Sequence, residues 1–350
     1  TKESQQLSMS FYRSLDEDDQ VVHFKLFHAD LPVPLSDVMP IFENMGFRVI
    51  GERPYEAVDR DGHTVWLHDF MLTTKTRQSI DIEKIRQPFE DLFTKVWLGE
   101  AENDSFNRMV IASYMNWREI AVLRSYSRYM RQIRISNSQE FISNTIVGNV
   151  EISQIMIQLF ESRFNPALNT QTKKESSKQE SQENEFFEAL DKVQNLTEDK
   201  ILRLYLDLIK ATVRTNYYQK GIHGEDRSYI SFKLQPRLIP NVPLPVPMFE
   251  IFVYSPRIEG VHLRGGKVAM GGLRWSDRYE DCRTEVLGLV KAQQVKNAVI
   301  VPVGAKGGFV AKKLPDTGRD DYMKEGVSCY QTFITGLLNV TDNLVDGKVV

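Results

Sequence analysis

The sequence predicts an α+β module, then a helical region, then an α/β domain, and three observations carry that reading. Near the start, three runs rich in β-branched and aromatic residues surround one amphipathic helix. From residue 105 to 166, apolar positions recur at threes, fours and sevens. After Gly221, prolines and strand-like runs replace that period, and a helix and a strand lead into a glycine-rich turn around Lys306.

Taken in order, Val21 to His28, Phe47 to Val58 and Thr64 to Leu72 read as strands. Between the first two, Val38, Ile41, Phe42 and Met45 follow helical spacing, with Ser36 a possible cap and Gly46 a stop. A second helix is expected over Ile82 to Leu98, giving a β-α-β-β-α order with helices on one side of an antiparallel sheet. In the helical region, Arg118, Arg124, Arg128, Arg131 and Arg134 read as a solvated surface; the rival is a nucleic-acid face, but no aromatic platform interleaves them. Asn169 to Glu185 has no hydrophobic anchor and is expected to be mobile. Helix returns over Phe186 to Tyr218. Tyr229 to Leu234 and Met248 to Tyr254 then read as strands, Thr284 to Asn297 as a helix, and Ala298 to Val303 as a buried strand. The expected divisions are 1–80, 81–220 and 221–350.

Composition narrows the partners. With 44 basic and 47 acidic side chains the formal charge is -3, which gives no general pull toward nucleic acid or an anionic membrane. Cys282 and Cys329 have no metal-type spacing, which fits a reducing, cytoplasmic compartment, and none of the six histidines shows metal spacing. No apolar stretch reaches the length of a membrane span. The polar start and the strand-like Val345-Asp-Gly-Lys-Val-Val350 read as cut ends, so a longer parent polypeptide is expected.

The chemistry centres on Val303-Gly-Ala-Lys306-Gly-Gly308, where glycine on both sides of a lysine lets main chain and substrate approach an ammonium. On the preceding helix, Leu289, Gln293 and Lys296 are four and seven apart, so both polar groups share a stripe with apolar neighbours. Lys296 alone would read as snorkelling at a helix end; beside Lys306 and Gly271-Gly272 it reads as a ligand-binding cation. Two lysines in one cleft disfavour each other's protonation, which suits one to general-base work and leaves the other to hold a carboxylate. The Ser or Thr that follows a P-loop lysine is missing, and no Gly-x-Gly-x-x-Gly follows a strand, so neither nucleotide motif is present.

These segments, Gly265-Gly-Lys-Val-Ala-Met-Gly-Gly-Leu-Arg-Trp275, Gln293-x-x-Lys296 and Gly304-Ala-Lys-Gly-Gly308, resemble the substrate-binding part of amino-acid dehydrogenases, most of all the large bacterial NAD-specific glutamate dehydrogenases. The stretches 24–50 and 117–126 resemble the ACT-type regulatory and helical regions that precede catalysis in that class. The resemblance implies that Lys296, with Gln293 beside it, holds the substrate α-carboxylate and that Lys306 activates water. Gly271 and Gly272 would give backbone approach. Smaller relatives place a lysine where this chain has Met270, so Arg264, Lys267 and Arg274 stand as alternatives for the γ-carboxylate.

The implied reaction is oxidation of L-glutamate to 2-oxoglutarate and ammonia with NAD, in a cytoplasmic homo-oligomer. The catalytic aspartate and the NAD site are expected outside this fragment, which would then be inactive alone. The rival reading is a regulatory or assembly module that senses an amino-acid effector through the ACT-like part.

Overall fold

The computed structural model describes residues 7–14, 16–58, 62–74, 80–168, 173–266, 271–296, 304–342 and 344–349; at 173–176, 296, 344–345 and 348–349 it describes backbone alone. The chain divides into two compact units, Thr1–Arg124 with Ile146–Val150, and Ser125–Thr145 with Glu151–Val350. The architecture is mixed, with helices packed on two main sheets.

In the first unit β1 (Ser8–Tyr12), β2 (Val21–Ala29), β3 (Phe47–Val58) and β4 (Thr64–Thr74) form an antiparallel sheet of order β1-β2-β4-β3. Cross-strand register sets Phe11 opposite Phe24 and Phe24 opposite Phe70, so three phenylalanines form one row on one face. Helices α1 (Leu35–Asn44) and α2 (Ile82–Trp97) cover that row. Phe42 meets Phe70 at 5.1 Å between ring centroids, and Phe89 meets Phe11 at 4.6 Å and Phe24 at 5.3 Å. All five rings are fully buried. The expected order of elements is present, with β1 added at the edge. This strand was illegible in sequence because it is five residues long and buries only Phe11. The cap of α1 also differs: extended Pro34 precedes the helix, Ser36 lies inside its first turn, and no side chain caps it. Gly46 ends it at φ +92°, a left-handed conformation suited to glycine.

The helical region contains a 3-10 turn (Ser105–Arg108), α3 (Met109–Ser113), α4 (Trp117–Gln132), α5 (Gln139–Gly148) and α6 (Val150–Phe164). Of the arginines read as a solvated surface only Arg134 is exposed as expected; the other four are buried or partly buried against partners. Arg124 is 1% exposed and grips Asp104 at 2.9 Å and Asn107 at 2.5 Å. Arg118 is buried too. In the second unit, Arg131 reaches buried Glu259 at 3.3 Å, where Lys312 arrives at 3.1 Å and the Tyr279 hydroxyl donates at 3.1 Å. Composition hid this because the acids that neutralise α4 lie far away in sequence. Of the segment expected to be mobile, 169–172 lies outside the described residues and the rest is helical: α7 (Lys173–Leu190) docks by polar contacts, with Gln179 donating to the Ser162 carbonyl and Ser162 donating to buried Gln182. Side-chain amides replace the missing apolar anchor.

After α8 (Leu196–Ala211), the helix expected to reach Tyr218 gives way to β5 (Thr212–Thr215), where β-branched Thr212 and Val213 favour pairing. The strands β6 (Ile230–Leu234), β7 (Phe249–Tyr254), β8 (Ile258–Arg264), β9 (Leu273–Trp275) and β10 (Ala305–Ala311) complete a sheet of order β5-β6-β7-β8-β10-β9. Pairing is antiparallel except between β10 and β9. One face receives α10 (Arg319–Leu338), whose Cys329, Phe333 and Leu337 pack on Ile251, Val253, Ile258 and Phe309. Trp275 stacks beside Phe309 and Tyr322 on that side. The other face takes α9 (Cys282–Lys296), and Tyr126 and Tyr129 of α4 lie on Phe232 and Phe252 at 4.4 and 5.4 Å. A short hairpin, β11 (Leu344–Val345) with β12 (Lys348–Val349), follows. Among the described residues no helix is long and apolar enough to cross a membrane.

Candidate active site

Lys306 lies inside β10, not on a turn after a strand, and the strand expected over 298–303 falls outside the described residues. Glycine-rich sequence reads locally as a turn, but here β8 and β9 flank it on both sides and long-range pairing prevails. Alternation sends residues 304, 306 and 308 toward α9: a Cβ on Gly308 would come within 2.7 Å of Val286, and one on Gly304 within 2.2 Å of the Gln293 amide. The Lys306 ammonium lies 3.7 Å from the position a Gly272 Cβ would take. The adjoining Gly307 N–H donates to the Gly272 carbonyl at 3.2 Å. Gly271 faces the β10 backbone, where a Cβ would strike the Ala305 carbonyl at 1.4 Å. Gly271 therefore sets strand packing, and Gly272 leaves bare backbone under the ammonium.

Helix α9 brings Gln293 because Cys282, Val286, Val290 and Gln293 share one buried stripe. Its first turn is pinned by a fully buried pair, Arg283 to Glu250, with two contacts of 2.8 Å. The Arg283 N–H also donates to Gln132 of α4 at 3.0 Å. Burial, with the Glu250 charge beside it, holds the Tyr129 phenol well above its ordinary range.

Of the expected site residues, Gly272, Arg274, Gln293 and Lys306 converge on the α9 face. Arg274 pairs in register with Gly308 and reaches Glu285 of α9 at 2.9 Å. Arg264 does not join them. It lies opposite Ala305, one residue out of phase with Lys306, and so belongs to the α10 face. Lys267, Met270 and the Lys296 side chain lie outside the described residues; the Lys296 backbone closes α9 one turn beyond Gln293. Sequence reasoning missed Glu285, whose carboxylate accepts from Ser276 at 2.5 Å as well as holding Arg274. Its signal was present, since Glu285 sits two turns before Gln293 along the helix. His262 lies opposite Gly307 on the α10 side, where burial lowers its pKa to about 4. Among the described residues no group of His, Cys, Asp and Glu is placed to hold a metal ion.

Residues 185–350 match the family "Bacterial NAD-glutamate dehydrogenase, catalytic domain", residues 6–85 "Glutamate dehydrogenase, ACT3 domain" and residues 101–166 "Glutamate dehydrogenase, helical motif 3". The chain belongs to the bacterial NAD-glutamate dehydrogenase family. It is similar to the NAD-specific glutamate dehydrogenase of Pseudomonas aeruginosa, 53% identical over 349 residues, which is 99% of this chain and 22% of the relative. That of Halomonas elongata is 53% identical over 345 residues, 98% of this chain and 21% of the relative. The Mycobacterium tuberculosis enzyme of the same name is 41% identical over 345 residues, 94% of this chain and 21% of the relative. The chain thus spans about a fifth of the length of these curated relatives.

Proposed function

We propose that this chain carries one wall of the substrate cleft of an NAD-dependent glutamate dehydrogenase that oxidises L-glutamate to 2-oxoglutarate and ammonia. The observation that carries it is the Lys306 ammonium poised over the bare backbone of Gly272, with Gln293 packed against Gly304 on the same face. A lysine so placed meets substrate without an intervening side chain, and it moves a proton to or from the water that attacks the imine carbon. Lys296 receives the α-carboxylate, with Gln293 orienting it. NAD, when bound, accepts the hydride. Its site is assigned to another part of the polypeptide, which the far greater length of the relatives supports.

Residues 1–80 serve as an ACT-like regulatory module, 81–220 as a helical connector and 221–350 as the substrate domain, in a cytoplasmic homo-oligomer. An open cavity of about 900 Å³ beside β3, lined by Glu43, Arg48 and Thr73, supports an amino-acid effector, since it offers both charges to a zwitterion. The test of the catalytic reading is Lys306→Ala in the native full-length protein. Turnover is expected to fall about 10²- to 10⁴-fold with the circular dichroism spectrum unchanged. Undiminished turnover removes Lys306 from the chemistry.

A further inference from the structure

We infer that Arg274 receives the side-chain carboxylate of a dicarboxylic substrate seated on Gly272, with Glu285 as the positioning residue that aims its guanidinium. This rests on the reading of the cleft as a glutamate site, which requires a cation for the distal carboxylate besides the lysines given to the α-carboxylate and the water. Gly272 immediately precedes β9 and Arg274 lies within it; Gly272 looks onto Lys306 and Arg274 pairs with Gly308, and since Lys306 and Gly308 share the α9 face, both positions open to that face, roughly 6.6 Å apart at strand spacing. The Lys306 ammonium stands over the first position, and the Arg274 side chain rises from the second.

The Arg274 side chain is 55% exposed, whereas its partner Glu285 is 14% exposed. One Glu285 oxygen takes Arg274 Nε at 2.9 Å and the other takes the Ser276 hydroxyl at 2.5 Å. The acid is therefore fixed from two sides and anchors the inner edge of the guanidinium. A planar guanidinium fork matches a carboxylate in a way an ammonium does not. Arg264, the other described candidate, faces the opposite side of the sheet.

The experiment uses the native full-length protein with NAD and compares binding of 2-oxoglutarate with that of 2-oxopentanoate, which carries a methyl group in place of the distal carboxylate. Calorimetry gives the preference ratio for wild type, Arg274→Gln, Arg274→Lys, Glu285→Gln and the Arg274→Gln/Glu285→Gln double variant. Arg274→Gln is expected to lower the preference for 2-oxoglutarate at least tenfold, with Arg274→Lys recovering part of it. Glu285→Gln is expected to lower it less, and to add nothing once Arg274 is Gln, which a merely structural role for Glu285 would not produce. An unchanged ratio in folded Arg274→Gln overturns the inference. If that variant does not fold, an unchanged ratio in Glu285→Gln overturns it instead. Wild-type protein that binds neither oxoacid defeats the glutamate reading itself, and this inference with it.

Discussion

At the scale of single residues, the face of a side chain decides its role, and faces are set by register. Gln293 was legible in sequence because a helix imposes its own period, and an amide on an apolar stripe stands out. Arg264 and Arg274 looked equivalent, since nothing local distinguishes two arginines near a glycine pair; only their partners, Ala305 for one and Gly308 for the other, separate them. His262 packs on the α10 side, and its burial makes a structural role testable. Its folded pKa of about 4 lies below the ordinary 6.5, so as pH falls through this window the unfolded state takes up the proton first. Stability contributed by the neutral ring is complete above pH 6.5 and lost toward pH 4, by at most about 3 kcal/mol. The melting temperature of a His262→Leu variant is expected to fall less steeply than wild type between those pH values, and parallel profiles would count against it.

At the scale of elements, α9 is held by chemistry that its low amphipathicity did not announce. Glu250 and Arg283 are 33 residues apart and each looks like an ordinary surface charge in sequence. In the fold they are 0% and 1% exposed, so removing one strands the other in an apolar setting. Glu250→Leu is expected to cost about 3–5 kcal/mol in chemical denaturation, while Glu250→Leu with Arg283→Met recovers most of that loss. The same logic explains α7 and the arginines of α4. Many helices and strands could be read from periodicity, though β1, β5, β8, β10 and α10 were not, whereas polar partners brought together by the fold could not be read at all.

At the scale of the whole molecule, the two compact units have different cores. The first depends on a phenylalanine cluster whose central ring, Phe24, touches Phe42, Phe89 and Phe93 at 4.9 to 5.5 Å. Phe24→Ala is expected to destabilise that unit by about 3–5 kcal/mol. Hydrogen exchange followed by mass spectrometry is the check: peptides from β1 to α2 lose protection, and those from β6 to α10 keep theirs. Equal loss in both would mean that the units unfold as one.

Trp275 stacks on Phe309 and Tyr322 at the end of β9. The four indoles of the chain fall at 66, 97, 117 and 275, and only the last belongs to the second unit. Its emission is therefore a private optical signal from the residue next to Arg274, one that reads the sheet edge beside the cleft without any added dye once the other three are replaced.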